Sequence, residues 1–331
     1  MFCALSQAKQ NQYFLGNLSA NNIAITFHDI HSRDWLRRTL QAIASRYDFV
    51  SIDEVSNFYH SGKTLKNTCH ITFDDGHKTF YENSFPVLKE LGIPASIYVS
   101  PLIIIEEKNF WFQEIAGIEE NHFKQELALF LQLEEASLAR FSIYAILKSL
   151  PVDDIHAVID QYFTKYNRKR LPPQNMNTDQ LIEVDRSGLI KIGAHTMNHP
   201  ILKNETDERA YDEVKASIDG LARLLGKKTA YFAFPNGIPL LDFGPREQKI
   251  LADCDVSLSF SMEKKRYSQA DHHLAVPRNA LERGGPNLVK LKLLLGKSWY
   301  QLKNRLTPAN EISQRIHFQA LYSTNRTTAQ P

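Results

Sequence analysis

The stretch that decides the fold is Ile71-Thr72-Phe73-Asp74-Asp75-Gly76. Residues 69–73 are of strand type and apolar in balance, and they end in two adjacent carboxylates and a glycine. A second stretch of strand type, 189–194, ends in His195-Thr196-Met197-Asn198-His199, with two imidazoles four residues apart. A carboxylate and two imidazoles make a three-ligand set for a borderline divalent metal, leaving positions open for water and substrate. The other carboxylate is then free to act as a base on that water. These few residues imply a metal-dependent hydrolase.

Each motif alone also has a plainer origin. Asp-Asp-Gly after a strand is ordinary turn chemistry, with Asp capping a helix and Gly taking positive φ. Two histidines at this spacing are common on surfaces. Here Pro200 follows and a strand precedes, so both imidazoles belong to one turn at a strand's carboxyl end. Two such features, each closing a buried strand, are hard to explain as coincidence.

Working outward, runs of strand type recur at 23–27, 49–51, 70–73, 95–99, 189–194, 231–234, 256–260 and 274–276. Helical spacing of apolar residues alternates with them at 35–47, 85–91 and 211–225. Strand–helix alternation implies parallel pairing, and eight such strands suit a barrel. Gly92-Ile93-Pro94 and Gly226-Lys227-Lys228 read as helix stops. Residues 101–185 break the rhythm with helical segments at 110–112, 123–133 and 143–150, and are read as a helical insertion beside the site. A last short helix leads to the histidine strand, with Asn177 as N-cap and Gln180 completing a capping box.

Ile71 to Gly76 resembles the first motif of the polysaccharide deacetylase family, the NodB-homology domain of carbohydrate esterase family 4. His195 to His199 resembles its second motif, and Phe232-Ala233-Phe234-Pro235-Asn236-Gly237 its third. Ile25-Thr26-Phe27-His28-Asp29-Ile30 is similar to the opening strand, and Phe85-Pro86-Val87-Leu88 through Tyr98-Val99-Ser100 to the second βα unit. The resemblance extends over about residues 22–280. It implies an α/β fold, a distorted (β/α) barrel with the site at the carboxyl ends of the strands. It further implies zinc or a similar divalent ion on Asp75, His195 and His199, with Asp74 as base and the Asn236 backbone N–H as oxyanion donor.

The chain departs from the family pattern in three places. Ala233 stands where many members carry an arginine that steadies the base, and Asn236 stands where they carry an aromatic residue. A Leu-x-His segment, the family's usual general acid, is missing; His272, His273 and His317 are the nearest histidines. Arg278, after the last strand, could supply the missing cation or be a structural surface arginine, and His28, at the end of the first strand, faces the barrel mouth either as the proton donor or as a hydrogen-bonded lining residue.

The 331 residues carry a net charge of +2 and are 43% hydrophobic, enough for one barrel-sized domain and not the profile of a nucleic-acid protein. Cys3, Cys69 and Cys254 are too few and too scattered for a disulfide framework or thiolate zinc site. The expected organisation is a flexible segment over 1–20, a barrel over 21–305 and a polar, unstructured tail over 306–331. The barrel includes a basic, aromatic helix at 288–305, a type that packs on a barrel or lies on an anionic membrane. No signal-peptide core and no run of about 18 apolar residues is seen, which points to a cytoplasmic protein, at most peripheral to the inner membrane.

The leading expectation is an N-deacetylase of an acetamido sugar, nucleotide- or lipid-linked, in surface-polysaccharide assembly. An N-deformylase or another amidohydrolase keeps the chemistry and changes the acyl group or scaffold. A catalytically silent binding protein on the same fold is the third reading.

Overall fold

A computed structural model of the chain describes residues 22–281, 285, 288–289 and 311–328. Its sheet contains β1 (Ile23–Phe27), β2 (Asp48–Phe49), β3 (Thr68–Phe73), β4 (Ala95–Val99), β5 (Ile190–Ala194), β6 (Tyr231–Ala233), β7 (Leu258–Ser261), β8 (Val276–Pro277) and β9 (Asn279–Ala280). The order is β8-β7-β6-β5-β4-β3-β1-β9, with β2 paired to β3, and every pairing is parallel. Val276 and Pro277 pair with β7, whereas Asn279 and Ala280 pair with β1. Five consecutive residues therefore bridge the two edges, and Arg278 sits at the seam of a nearly closed α/β barrel.

Strand parity sorts the side chains, because successive residues point to opposite faces. Cys69, Ile71 and Phe73 join the main core with Ile23, Ile25, Phe27, Ile97 and Val99. The alternate residues turn inward: Tyr98, Ala233, Leu258, Phe260 and Val276 cluster there, and His70, Thr72 and Ser96 are wholly buried beside them. The inward row of β3 continues to Asp74, that of β1 to His28, that of β5 to His195 and that of β8 to Arg278. The active face thus follows from alternation carried one step past each strand.

Outside the sheet, α1 (Arg33–Ala44), α2 (Ile52–His60) and α3 (Phe85–Leu91) follow β1, β2 and β3, and α3 ends at left-handed Gly92. Between β4 and β5 lie α4 (Pro101–Ile105), α5 (Trp111–Glu114), α6 (Glu120–Leu131), α7 (Glu135–Leu138), α8 (Ile143–Leu147), α9 (Val152–Lys165) and α10 (Thr178–Arg186). The box predicted for α10 is formed: Asn177 Oδ1 accepts from Gln180 N at 3.0 Å, and Gln180 Oε1 accepts from Asn177 N at 3.1 Å. The insertion has its own apolar core, built around Phe123, Leu127, Leu138, Ile155, Ile159 and Tyr162. Then α11 (Asp207–Leu225) and α12 (Pro245–Asp253) follow β5 and β6.

Two expectations are corrected. The strand predicted at 274–276 begins only at Val276; His273–Ala275 is a 3-10 turn, in which His272 Nδ1 accepts from Leu274 N. The polar tail is not unstructured, since α13 (Glu311–Thr328) forms there. Its Phe318, Leu321 and Tyr322 enter the insertion core, and Arg315 makes a buried ion pair with Asp242 at 2.6 Å. Short apolar content at helical spacing suffices once a partner surface is present. The segments expected to be flexible at 1–20 and helical at 288–305 lie outside the described residues, apart from 288–289. Among the described residues no helix is long and apolar enough to cross a membrane.

Candidate active site

β3 delivers its two carboxylates to different tasks. Asp74 continues the inward row, and Asp75 takes positive φ, 70°, which swings its side chain toward β5. Gly76 also has positive φ, 71°, and a Cβ there would stand 2.9 Å from Val99 Cγ1. Glycine is thus required both by the turn and by the close approach of β4.

Asp74 is held by Arg278 in a two-pronged contact, Nη1 donating to Oδ1 at 2.7 Å and Nη2 to Oδ2 at 2.8 Å. The guanidinium is wholly buried, donates also to Thr72 Oγ1 at 3.1 Å, and lies over the rings of Tyr98 and Phe260. Burial by itself raises the Asp74 pKa, but the charge and hydrogen bonds of Arg278, joined by the nearby imidazoles of His195 and His28, together outweigh it and hold the carboxyl at about 2. The cation missing at Ala233 therefore arrives from the closing strand. Ala233 contributes its backbone instead: its carbonyl accepts from His195 Nδ1 at 2.7 Å.

That hydrogen bond protonates Nδ1 and leaves the Nε2 lone pair of His195 facing Asp75. The Nε2 atoms of His195 and His199 stand 3.6 and 3.5 Å from Asp75 Oδ1. Donors about 2.0–2.1 Å from a tetrahedral centre are about 3.4 Å apart, so these two spacings suit one small ion. Asp75 Oδ1 is buried without a hydrogen-bond partner, as an acceptor reserved for a cation would be. The three residues are all buried, with ligand atoms within 4.8 Å of one another. Burial lowers the pKa of both histidines, His199 furthest, which keeps the imidazoles neutral. Burial raises that of Asp75. The donor set fits a divalent metal.

The turn carrying the histidines is strained and braced. Thr196 and His199 have φ of 64° and 57°, and a β-branched residue rarely accepts that region. Glu213 of α11, 2% exposed, takes three hydrogen bonds from the turn: Met197 N and Asn198 N at 2.9 Å, and Asn198 Nδ2 at 2.8 Å. From the insertion, Trp111 Nε1 donates to the His199 carbonyl at 3.1 Å, and the rings of Phe110 and Phe112 pack edge-on to the His199 imidazole.

All seven residues singled out in the sequence meet at one end of the barrel. His28, Asp74, Asp75, His195, His199 and Asn236 line a cleft of about 690 Å³, and Arg278 lies behind Asp74. Nε2 of His28 is 4.0 Å from Asp74 Oδ2, with the side chain 47% exposed. Asn236 has φ of 58°, which asparagine tolerates, and its Nδ2 is buried without a partner. His273 packs against His60 and His272 stacks on His273 instead, His317 is exposed on α13, and none of the three lines the cleft. Sequence reasoning missed Tyr144, Lys148, Glu311 and Ile312, which also line it. They come from the insertion and the far carboxyl end, where no local motif marks them.

A nearly closed barrel whose strand ends gather a carboxylate pair and two histidines defines a class of site, and the sequence agrees with it. A profile of the Polysaccharide deacetylase family matches residues 61–122 and 139–249, more than half of the chain, which belongs to that family. Among curated relatives, the poly-beta-1,6-N-acetyl-D-glucosamine N-deacetylase of Staphylococcus aureus (strain MSSA476) is 25% identical over 178 residues, 48% of this chain and 58% of that protein. The Staphylococcus epidermidis protein of the same name is 33% identical over 82 residues, 24% of this chain and 26% of its own length. The chain thus spans less than two thirds of either relative. Streptococcus pyogenes deacetylase PplD, solved with acetate, and IcaB from Ammonifex degensii each superpose with a TM-score of 0.56 at 19% identity, covering 83% of this chain and 97% of theirs. At that identity they share the fold.

Proposed function

We propose that the protein hydrolyses the acetamido group of an N-acetylated amino sugar in the assembly or modification of a surface polysaccharide. The observation that carries this reading is an ionised, arginine-clamped Asp74 beside the convergent donors of Asp75, His195 and His199. These three would hold a divalent ion, zinc by the nitrogen-rich character of the set. The chemistry such an ion supplies is a lowered pKa for water and a polarised acyl carbonyl.

The chain's own residues do the rest. Asp74, kept ionised by Arg278, takes a proton from the attacking water as the carbonyl carbon becomes tetrahedral. Arg278 fixes both carboxylate oxygens and so sets the direction of that transfer. The Asn236 backbone N–H faces the developing oxyanion, a contribution of about 3 kcal/mol from one such donor. His28 gives a proton to the departing amine, the C–N bond breaks, and acetate and the free amino sugar leave. Buried Phe110 and Trp111 exclude water behind His199.

The test is acetate release by the purified full chain from β-1,6-linked N-acetylglucosamine oligomers, with metal content measured on the same sample. One equivalent of zinc with chelator-sensitive release supports the reading. Stoichiometric metal with formate release from N-formyl sugars alone replaces the acyl group. A protein with neither metal nor turnover is a silent scaffold.

A further inference from the structure

Arg278 reaches Asp74 from the barrel seam, and hydrogen bonds are only half of what holds it. Besides its contact with Asp74, Nη1 donates to Thr72 Oγ1 at 3.1 Å and Nε to the Ser261 carbonyl at 3.4 Å. Bonds of this kind lie near the guanidinium plane and leave its tilt free. The Arg278 Cζ stands 5.6 Å from the Tyr98 ring centroid and 5.5 Å from that of Phe260, and the two centroids are 5.9 Å apart. The three spacings make a nearly equilateral triangle. Both rings therefore support the guanidinium from one side, as a floor, and do not sandwich it.

The floor is itself tied down. His70 Nδ1 contacts the Val50 carbonyl at 2.9 Å, and a carbonyl only accepts, so Nδ1 carries the hydrogen and Nε2 accepts from Ser96 Oγ at 2.7 Å. The Ser96 hydrogen is used there, so Ser96 Oγ accepts from Tyr98 Oη at 3.2 Å. Burial lowers the His70 pKa to about 4, in keeping with this neutral tautomer. The His70 ring also stacks on Phe260, with centroids 5.7 Å apart. His70, Ser96, Tyr98 and Phe260 are all wholly buried. On the β5 side, a Cβ at Gly193 would stand 2.5 Å from Tyr98 Cε1, so the tyrosine ring fills the place of a side chain.

None of these four side chains lines the cleft, so what they supply acts through Arg278. A desolvated cation is attracted to an aromatic face. Two rings beneath a planar guanidinium thus restrain the one motion that in-plane bonds permit. Ala233, in the same inward cluster, adds only a methyl. The tilt matters because Arg278 grips both oxygens of Asp74 and turns the carboxylate with it. A misplacement of about 1 Å in a reacting group costs about 10² in rate.

We propose that Tyr98 and Phe260 are positioning residues: they set the tilt of the Arg278 guanidinium and, through its two-pronged contact, the direction in which Asp74 faces the attacking water. The proposal rests on the deacetylase reading above and deepens it. The test compares the zinc-loaded full chain with Tyr98→Met and Phe260→Met, in which methionine fills most of the space of the ring without its π face. Each variant is expected to keep its zinc, to hold KM within about twofold and to lower kcat about tenfold to a hundredfold. Tyr98→Phe, which keeps the ring, recovers most of what Tyr98→Met loses. A second readout needs no turnover. In arginine-labelled protein the Nη magnetic resonance signals of Arg278, identified by their loss in Arg278→Ala, are separate in the native chain and broaden in the methionine variants. The two variants test the floor independently, so one that does not fold leaves the other to decide. An unchanged kcat, a kcat loss matched by loss of zinc, or Nη signals as sharp as in the native chain overturns the proposal. Nη signals that broaden in the variants of a chain that releases no acetate overturn the deacetylase reading and support the aromatic floor.

Discussion

Asp74 and Asp75 are adjacent in sequence and differ in everything the structure gives them. Asp74 has both oxygens on Arg278, while Asp75 keeps Oδ1 for the space between two imidazoles. Asp74→Asn is expected to retain metal and lose turnover by about 10²–10⁴, the usual contribution of a positioned base. Asp75→Asn should instead lose metal. Metal analysis beside kinetics checks this, and equal metal loss in both variants would reverse the assignment. Arg278 gives a pH prediction. Its charge is the largest of the contributions that hold Asp74 at about 2 against the upward push of burial, so removing it leaves burial opposed only by the nearby imidazoles. Arg278→Ala should therefore move the acidic limb of kcat/KM to higher pH, because the base stays protonated over a wider range. An acidic limb that stays in place would show that Arg278 does not govern Asp74.

At the scale of elements, the short turn 195–199 depends on α11. Glu213 takes three hydrogen bonds from it, and Glu213→Gln replaces one acceptor oxygen by a donor facing N–H groups. Zinc affinity is expected to fall about 10–100-fold, as for other groups that orient metal ligands. Competition with a chromophoric chelator measures it, and an unchanged affinity would leave Glu213 a purely structural cap. Glu205 joins the barrel to the insertion, its Oε1 accepting from Val152 N at the start of α9. Burial raises its pKa to about 7. The folded state thus holds a proton that the unfolded chain releases near its ordinary carboxylate pKa, about 4.3, so stability falls as pH rises between those values. Glu205→Gln, which keeps the acceptor, should shrink the difference in Tm between pH 5 and pH 8. A difference as large as that of the native chain would assign the pH dependence elsewhere.

At the scale of the whole molecule, α13 ties the insertion to the barrel. Arg315 and Asp242 are both wholly enclosed, with side chains 0% exposed. Arg315→Met leaves Asp242 buried without its cation and should cost about 3–5 kcal/mol in denaturant unfolding. Adding Asp242→Asn should recover part of that loss, and a double variant no more stable than the single one would deny the coupling. Because Arg315 also holds the Lys148 carbonyl, the same contact shapes the far wall of the cleft.

The barrel, the carboxylate pair and the histidine turn were legible because each is local. Strand parity places Asp74, His28 and His195 on one face from residue order alone, and Asp-Asp-Gly and H-x-x-x-H carry their chemistry within a few residues. The pairing of Arg278 with Asp74 was readable only as a possibility at a strand end, since it spans 204 positions and depends on how the barrel closes. The ordering of α13 and the walls contributed by Tyr144, Lys148 and Glu311 left no local mark. A polar segment with a few apolar residues is unstructured alone and helical against a partner surface, and the partner surface exists only after the insertion has folded. Local chemistry was thus determined by the sequence itself. What surrounds that chemistry was decided by tertiary contacts between separate elements, such as Arg278 with Asp74 and Trp111 with His199, whose free energy no local pattern records.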